Sequence, residues 1–186
     1  MRIVGGNLRG RKIFQPKDKN TRPLRDLVKE SVFNLLEHSS KFNCRIENSE
    51  VLDLFSGVGS FGIECISRNA KKVTFVENYK NSLKILKMNI VSLNIIKKCK
   101  INDQSCFEFC DLKNNVLDKF NIIFMDPPYR ESKINSIIEN IIEKKILKKD
   151  GILIMHRHKK DTTNITSKLK ILDERSYGIS RIIIGN

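Results

Sequence analysis

Apolar residues recur at helical spacing directly after Pro23. This stretch repeats at the period of one helix face, with Leu24, Leu27, Val28, Ser31, Val32, Leu35 and Leu36 at positions 0, 3, 4, 7, 8, 11 and 12. Proline is tolerated in the first turn of a helix, so Pro23 is expected to open it. Arg25, Lys29 and Glu37 fall outside the apolar face, and we expect solvent to reach them.

From residue 51 onward, short apolar runs alternate with helical periodicity. Strands are predicted at residues 51–55, 72–77, 99–102, 120–125 and 151–155, and helices at residues 61–68, 81–93, 105–110 and 133–145. A closing antiparallel hairpin is predicted from residues 171–175 and 179–184. This alternation implies an α/β fold with a mostly parallel sheet and helices on both faces. Ligands of such sheets bind at the carboxyl ends of the strands.

The length and composition predict a single folded domain without a membrane span. The chain has 186 residues, of which 40% are apolar and 30% are charged, as in globular proteins. No stretch approaches the ~18 consecutive apolar residues of a transmembrane helix, and residues 1–6 lack the apolar core of a signal peptide. Five cysteines, an odd number, indicate reduced thiols. We expect a cytoplasmic monomer.

Positive charge is concentrated at the N-terminus. The formal net charge of the whole chain is +14, but lysine is abundant throughout, which weakens this excess as a sign of nucleic-acid binding. Residues 1–30 hold nine lysines and arginines against three acids, and five of the eleven arginines lie there. Arginine binds phosphate in a bidentate manner, so a polyanion-binding segment is predicted. A solvated basic tail without a partner is the alternative.

We therefore divide the chain into a basic N-terminal arm, residues 1–20, and a domain formed by residues 21–186. Three glycines in the arm, at positions 5, 6 and 10, predict a short hairpin or an irregular arm that pairs residues 2–4 with residues 11–14. The candidate contacts to nucleic-acid phosphates are Arg2, Arg9, Arg11, Lys12, Arg22, Arg25 and Arg130.

A glycine-rich turn follows the first strand of the predicted sheet. Gly57, Gly59 and Gly62 match the pattern G-x-G-x-x-G between a strand and a helix, and Ser56 precedes them. Such a turn lets the backbone approach a nucleotide-like cofactor closely. Glu77 ends the next strand, 20 residues after Gly57, where its carboxylate can accept hydrogen bonds from a ribose. NAD and S-adenosylmethionine both contain such a ribose.

Asp53 helps to distinguish these two cofactors. It lies at the end of the first strand, where a buried carboxylate would repel a pyrophosphate but attract the ammonium and sulfonium groups of S-adenosylmethionine. A turn-capping acid is the alternative. Asp103 and Gln104 follow the third strand, where an adenine amino group would find an acceptor, although ordinary polar loop residues also occur there.

The strand at residues 120–125 ends in Asp126-Pro127-Pro128-Tyr129. Proline fixes φ, so this turn is rigid. The Asp126 carboxylate and the Pro127 carbonyl can both accept hydrogen bonds from an exocyclic amino group. The ring of Tyr129 offers a face on which a flipped base could stack. The turn therefore predicts catalysis by positioning an amine rather than by a strong base. The alternative is a stiff surface turn in which the tyrosine only packs against the protein.

These motifs resemble those of class I S-adenosylmethionine-dependent amino-methyltransferases, which pair an Asp53-x-Phe-Ser-Gly-x-Gly turn with an Asp126-Pro-Pro-Tyr turn. Residues 2–13, RIVGGNLRGRKI, and residues 21–34, TRPLRDLVKESVFN, narrow the resemblance to the bacterial 16S rRNA guanine-N2 methyltransferase family. The Tyr177-Gly178 hairpin fits as well. The resemblance extends from Arg2 to about Ile184, nearly the whole chain.

This resemblance implies a Rossmann-like, seven-stranded, mostly parallel sheet with a C-terminal antiparallel hairpin. It implies methyl transfer from S-adenosylmethionine to guanine N2 in 16S rRNA, on the small ribosomal subunit or its assembly intermediate, with residues 2–29 on rRNA phosphates. By position, Asp53, Gly57 and Gly59 would hold the methionine end, Glu77 the ribose and Gln104 the adenine edge, with Ser56 and Asp103 as further cofactor-binding residues. The target guanine would be held by Asp126, Pro127, Pro128 and Tyr129.

Two features depart from the family pattern. Gln104-Ser105 stands where an acid or amide followed by alanine is expected, and His156-Arg157-His158 stands where a glutamate is expected. We expect the added positive charge to strengthen an RNA contact. No metal site is predicted. The two histidines have no third ligand at a suitable sequence spacing, and Cys99, Cys106 and Cys110 are more typical of small buried side chains than of metal ligands.

Three alternatives stay open at this point. An N6-adenine methyltransferase acting on rRNA or DNA would use the same turn, because any planar exocyclic amine suits it. An NAD-linked dehydrogenase would use the same glycine pattern but would leave the Asp126 turn unexplained. A nonenzymatic RNA-binding module would show RNA affinity without cofactor affinity.

Overall fold

The fold is taken from a computed structural model, which describes residues 1–16, 26–111, 118–129 and 131–186. Within these ranges the chain forms five α-helices and seven strands, which alternate except for the last three strands. Their bounds are α1 Asp26–His38, β1 Glu50–Leu54, α2 Ser60–Ser67, β2 Lys72–Val76, α3 Lys80–Ser92, β3 Cys99–Asn102, α4 Cys106–Asp111, β4 Phe120–Met125, α5 Ile134–Glu143, β5 Leu147–His158, β6 Ile171–Tyr177 and β7 Ser180–Gly185. Short 3-10 turns occupy Gly6–Leu8 and Ile96–Lys98.

All seven strands form one sheet, in the order β3-β2-β1-β4-β5-β7-β6. The first five of these run parallel, and β7 is antiparallel to both β5 and β6. The predicted seven-stranded, mostly parallel sheet with a C-terminal antiparallel hairpin is thus confirmed. The order reverses between β1 and β4, so the loops that follow these two strands leave the sheet side by side.

Successive side chains of the central strands point alternately into two separate hydrophobic layers. Val51 and Ile122 face the layer formed with α1, α2 and α3, whereas Leu52 and Ile123 face the layer formed with α4 and α5. Both faces of the parallel strands are covered, which explains their nearly continuous apolar sequences. Three phenylalanines stack in the first layer: the ring of Phe61 lies 4.0 Å from Phe124 and 5.0 Å from Phe33.

In helix α1 two residues differ from the predicted apolar face. Leu27 is 70% exposed, whereas Lys29 is completely buried. The Lys29 ammonium donates to the Arg2 carbonyl at 2.8 Å and lies 3.5 Å from the Glu64 carboxylate, which satisfies its charge inside the protein. Burial nevertheless lowers the pKa of Lys29. Lys29 is therefore not available to rRNA phosphates, and the start of the helix at Pro23 lies outside the described residues.

The N-terminal segment folds back on itself and packs onto the domain. Arg2 and Lys12 form an antiparallel bridge, and the side chains of Ile3 and Ile13 join the first hydrophobic layer. Glu64 on α2 fixes this segment by accepting hydrogen bonds from the backbone N–H of Val4 at 2.9 Å and of Gly5 at 2.7 Å. The division of the chain at residue 20 stays a prediction, because residues 17–25 lie outside the described ranges.

Candidate active site

The loops that follow β1 and β4 border one cleft. Leu54 and Met125, the last residues of these strands, are paired neighbours in the sheet. The glycine loop, residues 55–59, and the Asp126 loop, residues 126–129, therefore face each other across a cleft of about 760 Å³. Most of the predicted site residues line it, namely Asp53, Ser56, Gly57, Glu77, Asp126, Pro127, Pro128 and Tyr129.

Gly59, Asp103 and Gln104 do not line this cleft. Gly59 has a φ of 85° and its missing side chain makes room for the core, since a Cβ there would lie 2.5 Å from Leu86 Cδ1. Asp103 is exposed, and Gln104 is partly buried outside the lining. Their contact with a cofactor stays a prediction.

Glu77 shapes the glycine loop through the backbone. Its Oε2 accepts from the Gly57 N–H at 2.7 Å, and its Oε1 accepts from the N–H groups of Asn78 at 2.9 Å and Tyr79 at 2.7 Å. Gly57 adopts a φ of 55°, in the left-handed region that favours glycine. Charge-assisted bonds of this kind are stronger than neutral ones, so Glu77 holds the loop and its own carboxylate in fixed positions.

Asp53 places a second carboxylate beneath the same loop. It is 1% exposed, and its Oδ2 accepts from the Gly62 N–H at 2.9 Å. Burial raises the pKa of Asp53 well above its usual range, the Gly62 hydrogen bond opposes this shift, and the nearby charges of Asp126 and Glu77 add to it. The described residues lining the cleft include no lysine or arginine. Four acidic side chains, those of Asp53, Glu77, Asp126 and Glu131, therefore line the cleft, which suits a ligand with an ammonium or sulfonium group.

The Asp126 loop is held by side chains from β5. Asp126 Oδ1 lies 2.8 Å from His156 Nδ1, and the imidazole of His158 packs edge-on against the Tyr129 ring at 5.3 Å between centroids. Tyr129 is 39% exposed and forms the outer wall of the cleft. The expected Tyr129 platform for a base therefore stands at the mouth of the site.

Arg157 fixes the backbone of the same loop. Its guanidinium donates to the carbonyls of Pro128 at 3.2 Å, Tyr129 at 3.4 Å and Glu131 at 3.2 Å, and it pairs with the Asp161 carboxylate. The side chain is only 2% exposed. Of the segment His156-Arg157-His158, Arg157 therefore does not provide the expected contact with RNA, because its guanidinium is buried and donates to protein groups.

The sequence interpretation missed an apolar wall of the cleft. This wall is formed by Phe55, Cys106 and Phe107, with the two phenylalanine rings edge to face at 6.2 Å. The Phe55 N–H donates to Cys106 Sγ at 3.1 Å. Burial raises the pKa of the Cys106 thiol, and Cys106 and Cys110 are buried free thiols as predicted. The signal lay beside the residues already singled out, because Cys106 and Phe107 begin α4 two residues after Gln104, and Phe55 directly precedes Ser56.

Four of the predicted phosphate contacts are exposed on the N-terminal segment. Arg2, Arg9, Arg11 and Lys12 all reach solvent, and Arg11 Nη2 also donates to the Ser92 carbonyl at 3.1 Å. The other three, Arg22, Arg25 and Arg130, lie outside the described residues. Over the described ranges no cluster of three or more metal-ligating side chains occurs, and no helix is long and apolar enough to span a bilayer.

Comparison with known proteins identifies the family. Residues 1–186 match the family described as Conserved hypothetical protein 95. The ribosomal RNA small subunit methyltransferase D of Haemophilus influenzae is 33% identical over 180 residues, which are 96% of this chain and 90% of the relative. The protein of the same name from Buchnera aphidicola is 36% identical over 160 residues, 86% of this chain and 79% of the relative.

Solved structures agree with this assignment. A methyltransferase from Escherichia coli superposes with a TM-score of 0.82 at 25% identity, covering 100% of this chain and 96% of that one. A methylase from Haemophilus influenzae gives a TM-score of 0.77 at 32% identity, covering 99% and 96%. The chain belongs to the Conserved hypothetical protein 95 family and is an S-adenosylmethionine-dependent methyltransferase with the class I fold.

Proposed function

We propose that this enzyme transfers a methyl group from S-adenosylmethionine to the exocyclic N2 of a guanine in 16S rRNA. The observation that carries the proposal is the meeting of the glycine loop and the Asp126 loop in one cleft. It is supported by the names of relatives, which are ribosomal RNA small subunit methyltransferases. The substrate is the small ribosomal subunit or its assembly intermediate, in the cytoplasm, and the enzyme acts as a monomer.

The cofactor half of the cleft suits S-adenosylmethionine. When bound, this cofactor supplies an electrophilic methyl group. In this proposal Asp53 balances the positive methionine end, and Glu77, whose carboxylate is fixed by three backbone N–H groups, accepts from the ribose hydroxyls. Phe55 and Phe107 offer an apolar surface to the planar adenine. A pyrophosphate would face Asp53, Glu77 and Asp126 without a cation among the described lining residues, which disfavours NAD.

The substrate half suits a planar amine. The Asp126 carboxylate and the Pro127 carbonyl accept the two N–H groups of guanine N2, which turns the nitrogen lone pair toward the methyl donor. Tyr129 stacks on the base, an interaction worth ~1–3 kcal/mol. These residues hold the amine and exclude water, and Asp126 also receives the proton that the amine loses after transfer. Catalysis then rests on positioning, which accounts for the rigid Pro127-Pro128 pair.

The basic N-terminal segment binds RNA phosphates in this proposal. Arg2, Arg9, Arg11 and Lys12 are exposed on a short bridged segment that Glu64 anchors to the domain. Anchored charges hold the RNA backbone in a fixed position relative to the cleft, whereas a loose tail would not. Arg22, Arg25 and Arg130 are proposed to extend this contact.

Labelled methyl transfer to unmethylated small ribosomal subunits tests the proposal. The rRNA is digested after reaction, and its nucleosides are separated. We expect the label in N2-methylguanosine, and none with the Asp126→Ala enzyme. Label in N6-methyladenosine would assign the chain to adenine methylation, and no transfer to subunits, free rRNA or DNA would contradict enzymatic RNA modification.

A further inference from the structure

His156 stands out in the cleft because both of its ring nitrogens are engaged. The residue lies on β5, is 6% exposed, and lines the cleft. Its Nδ1 lies 2.8 Å from Asp126 Oδ1, and its Nε2 lies 2.9 Å from Ser180 Oγ on the neighbouring strand β7. An imidazole bonded at both nitrogens and packed in a buried position cannot turn about its ring axis without losing a hydrogen bond.

The direction of these bonds follows from the partners. An ionised carboxylate only accepts hydrogen bonds, so Nδ1 carries the proton that is donated to Asp126. In the neutral imidazole Nε2 is then an acceptor, and the Ser180 hydroxyl is the donor that it requires. Ser180 is 4% exposed, which protects this bond from water. The chain Ser180–His156–Asp126 therefore presets one tautomer in the absence of substrate.

Asp126 needs such a partner because another carboxylate is close. Burial is the main cause of the raised pKa of Asp53, and the negative charge of Asp126 adds to it. Repulsion between the two carboxylates acts to turn the Asp126 side chain away from the cofactor half of the cleft. Because that side chain is 22% exposed, it could turn toward solvent instead. The hydrogen bond from His156 to Asp126 Oδ1 opposes this rotation.

We propose that His156 is a positioning residue for methyl transfer: its Nδ1–H holds one oxygen of Asp126, and the other oxygen then receives the target amine. The inference rests on the proposed function, since it gives His156 a role in that same reaction. The merely structural alternative is that His156 joins β5 to β7 through Ser180. The two roles depend on different nitrogens of one ring, so they can be separated.

Two amide variants separate them. His156→Asn places an amide nitrogen close to the position of Nδ1 and so retains a donor for Asp126. His156→Gln places its amide close to Nε2 and so retains the partner of Ser180. We expect kcat of His156→Asn to stay within about threefold of wild type, and kcat of His156→Gln to fall roughly 10- to 100-fold because the amine is misplaced. The Kd for S-adenosylhomocysteine, measured by calorimetry, should stay within about twofold in both variants.

Equal kcat values for the two variants, or a loss confined to His156→Asn, would overturn the positioning role. Should neither variant bind S-adenosylhomocysteine, Ser180→Ala decides, because it leaves the imidazole in place and removes only the donor to Nε2. A kcat within about threefold of wild type at unchanged Kd supports the positioning role of Nδ1, whereas a roughly 10- to 100-fold fall contradicts it, because loss of the strand contact alone would then account for the effect.

A readout without substrate keeps this inference distinct from the proposed function. Nitrogen-15 NMR of the wild-type enzyme should show a proton on Nδ1 of His156, and a proton on Nε2 alone would overturn the contact with Asp126. Wild-type enzyme that failed to methylate guanine would instead contradict the proposed function, and the NMR result would stand unaffected.

Discussion

The glycine loop and the Asp126 loop occupy equivalent places after neighbouring parallel strands, yet they are held in different ways. The glycine loop is fixed within its own βαβ unit, since Glu77 accepts from the Gly57 N–H and Asp53 accepts from the Gly62 N–H in the first turn of α2, directly after the loop. The Asp126 loop has stiff prolines but receives its hydrogen bonds from β5, some 30 residues further along the chain. One loop is determined locally, and the other by tertiary contacts.

This difference in support matches the role proposed for each loop, which is cofactor binding for one and positioning of the target base for the other. A cofactor that is the same in every turnover suits a loop with built-in acceptors, whereas a flipped base must be met by a carboxylate at one fixed angle. Side chains from another strand can set that angle independently of the cofactor half. Substitutions that affect one loop should therefore leave the other intact.

The largest expected effect comes from removing the proposed amine acceptor. Asp126→Ala should lower kcat for methyl transfer by about 1,000-fold or more, because positioning and proton acceptance are lost together. The Kd for S-adenosylmethionine, measured by titration calorimetry, should change little, since the glycine loop is untouched. Turnover near the wild-type rate would remove Asp126 from the mechanism.

Arg157→Gln tests the tertiary support of the Asp126 loop. Unfolding free energy from urea denaturation should fall by about 3 kcal/mol, because Asp161 loses a buried partner and three loop carbonyls lose their donor. Affinity for S-adenosylmethionine should be retained. Arg175→Gln is the matched control, since Arg175 is an exposed arginine paired with Asp173, and it should cause no resolvable change. Equal destabilisation by the two variants would refute the special role of Arg157.

Asp53→Asn tests the local support of the cofactor half. Affinity for S-adenosylmethionine should fall about tenfold, because a charge-assisted interaction is lost while the amide oxygen still accepts from Gly62. The folding stability of Asp53→Asn, in contrast, should exceed that of wild type at neutral pH. The folded pKa of Asp53 is raised, so Asp53 costs folding stability at neutral pH, and this cost shrinks as the pH falls from the raised pKa toward the ordinary pKa of an aspartate.

The measurement is the melting temperature of both proteins across a pH series. Asp53→Asn should melt higher than wild type at neutral pH, and the difference should shrink toward acid. A variant that melts lower at neutral pH and binds the cofactor normally would contradict both halves of the prediction.

The smallest effect concerns the N-terminal segment, which should not influence either loop. Arg9 and Arg11 changed together to alanine should reduce the slope of log affinity for rRNA against log salt by about 1.5, as expected for two lost phosphate contacts. Lys97 and Lys98 changed to alanine remove the same charge from exposed positions before β3, away from the cleft, and should leave the slope unchanged. Indistinguishable slopes for the two double variants would exclude a specific arm contact.

The sequence predicted what depends on local patterns. The mostly parallel sheet and the closing hairpin follow from alternating apolar runs, and Gly57 and Glu77 lie on the cleft because motif spacing determines their neighbours. Lys29 was misplaced because helical periodicity cannot reveal that Glu64, from another helix, supplies its counter-charge. The strand predicted at residues 151–155 extends to His158 in the structure. The polar side chains of residues 156–158 do not look like a strand in the sequence, although they support the Asp126 loop.

The central claim is that the two loops form one site for two substrates. A crystal structure of the enzyme with S-adenosylhomocysteine and a guanine-containing RNA fragment tests it most directly. We predict the amino-acid end of the cofactor against Asp53, its ribose against Glu77, and guanine N2 within hydrogen-bond distance of Asp126. A base bound outside the cleft, or a cofactor bound away from the glycine loop, would contradict the account.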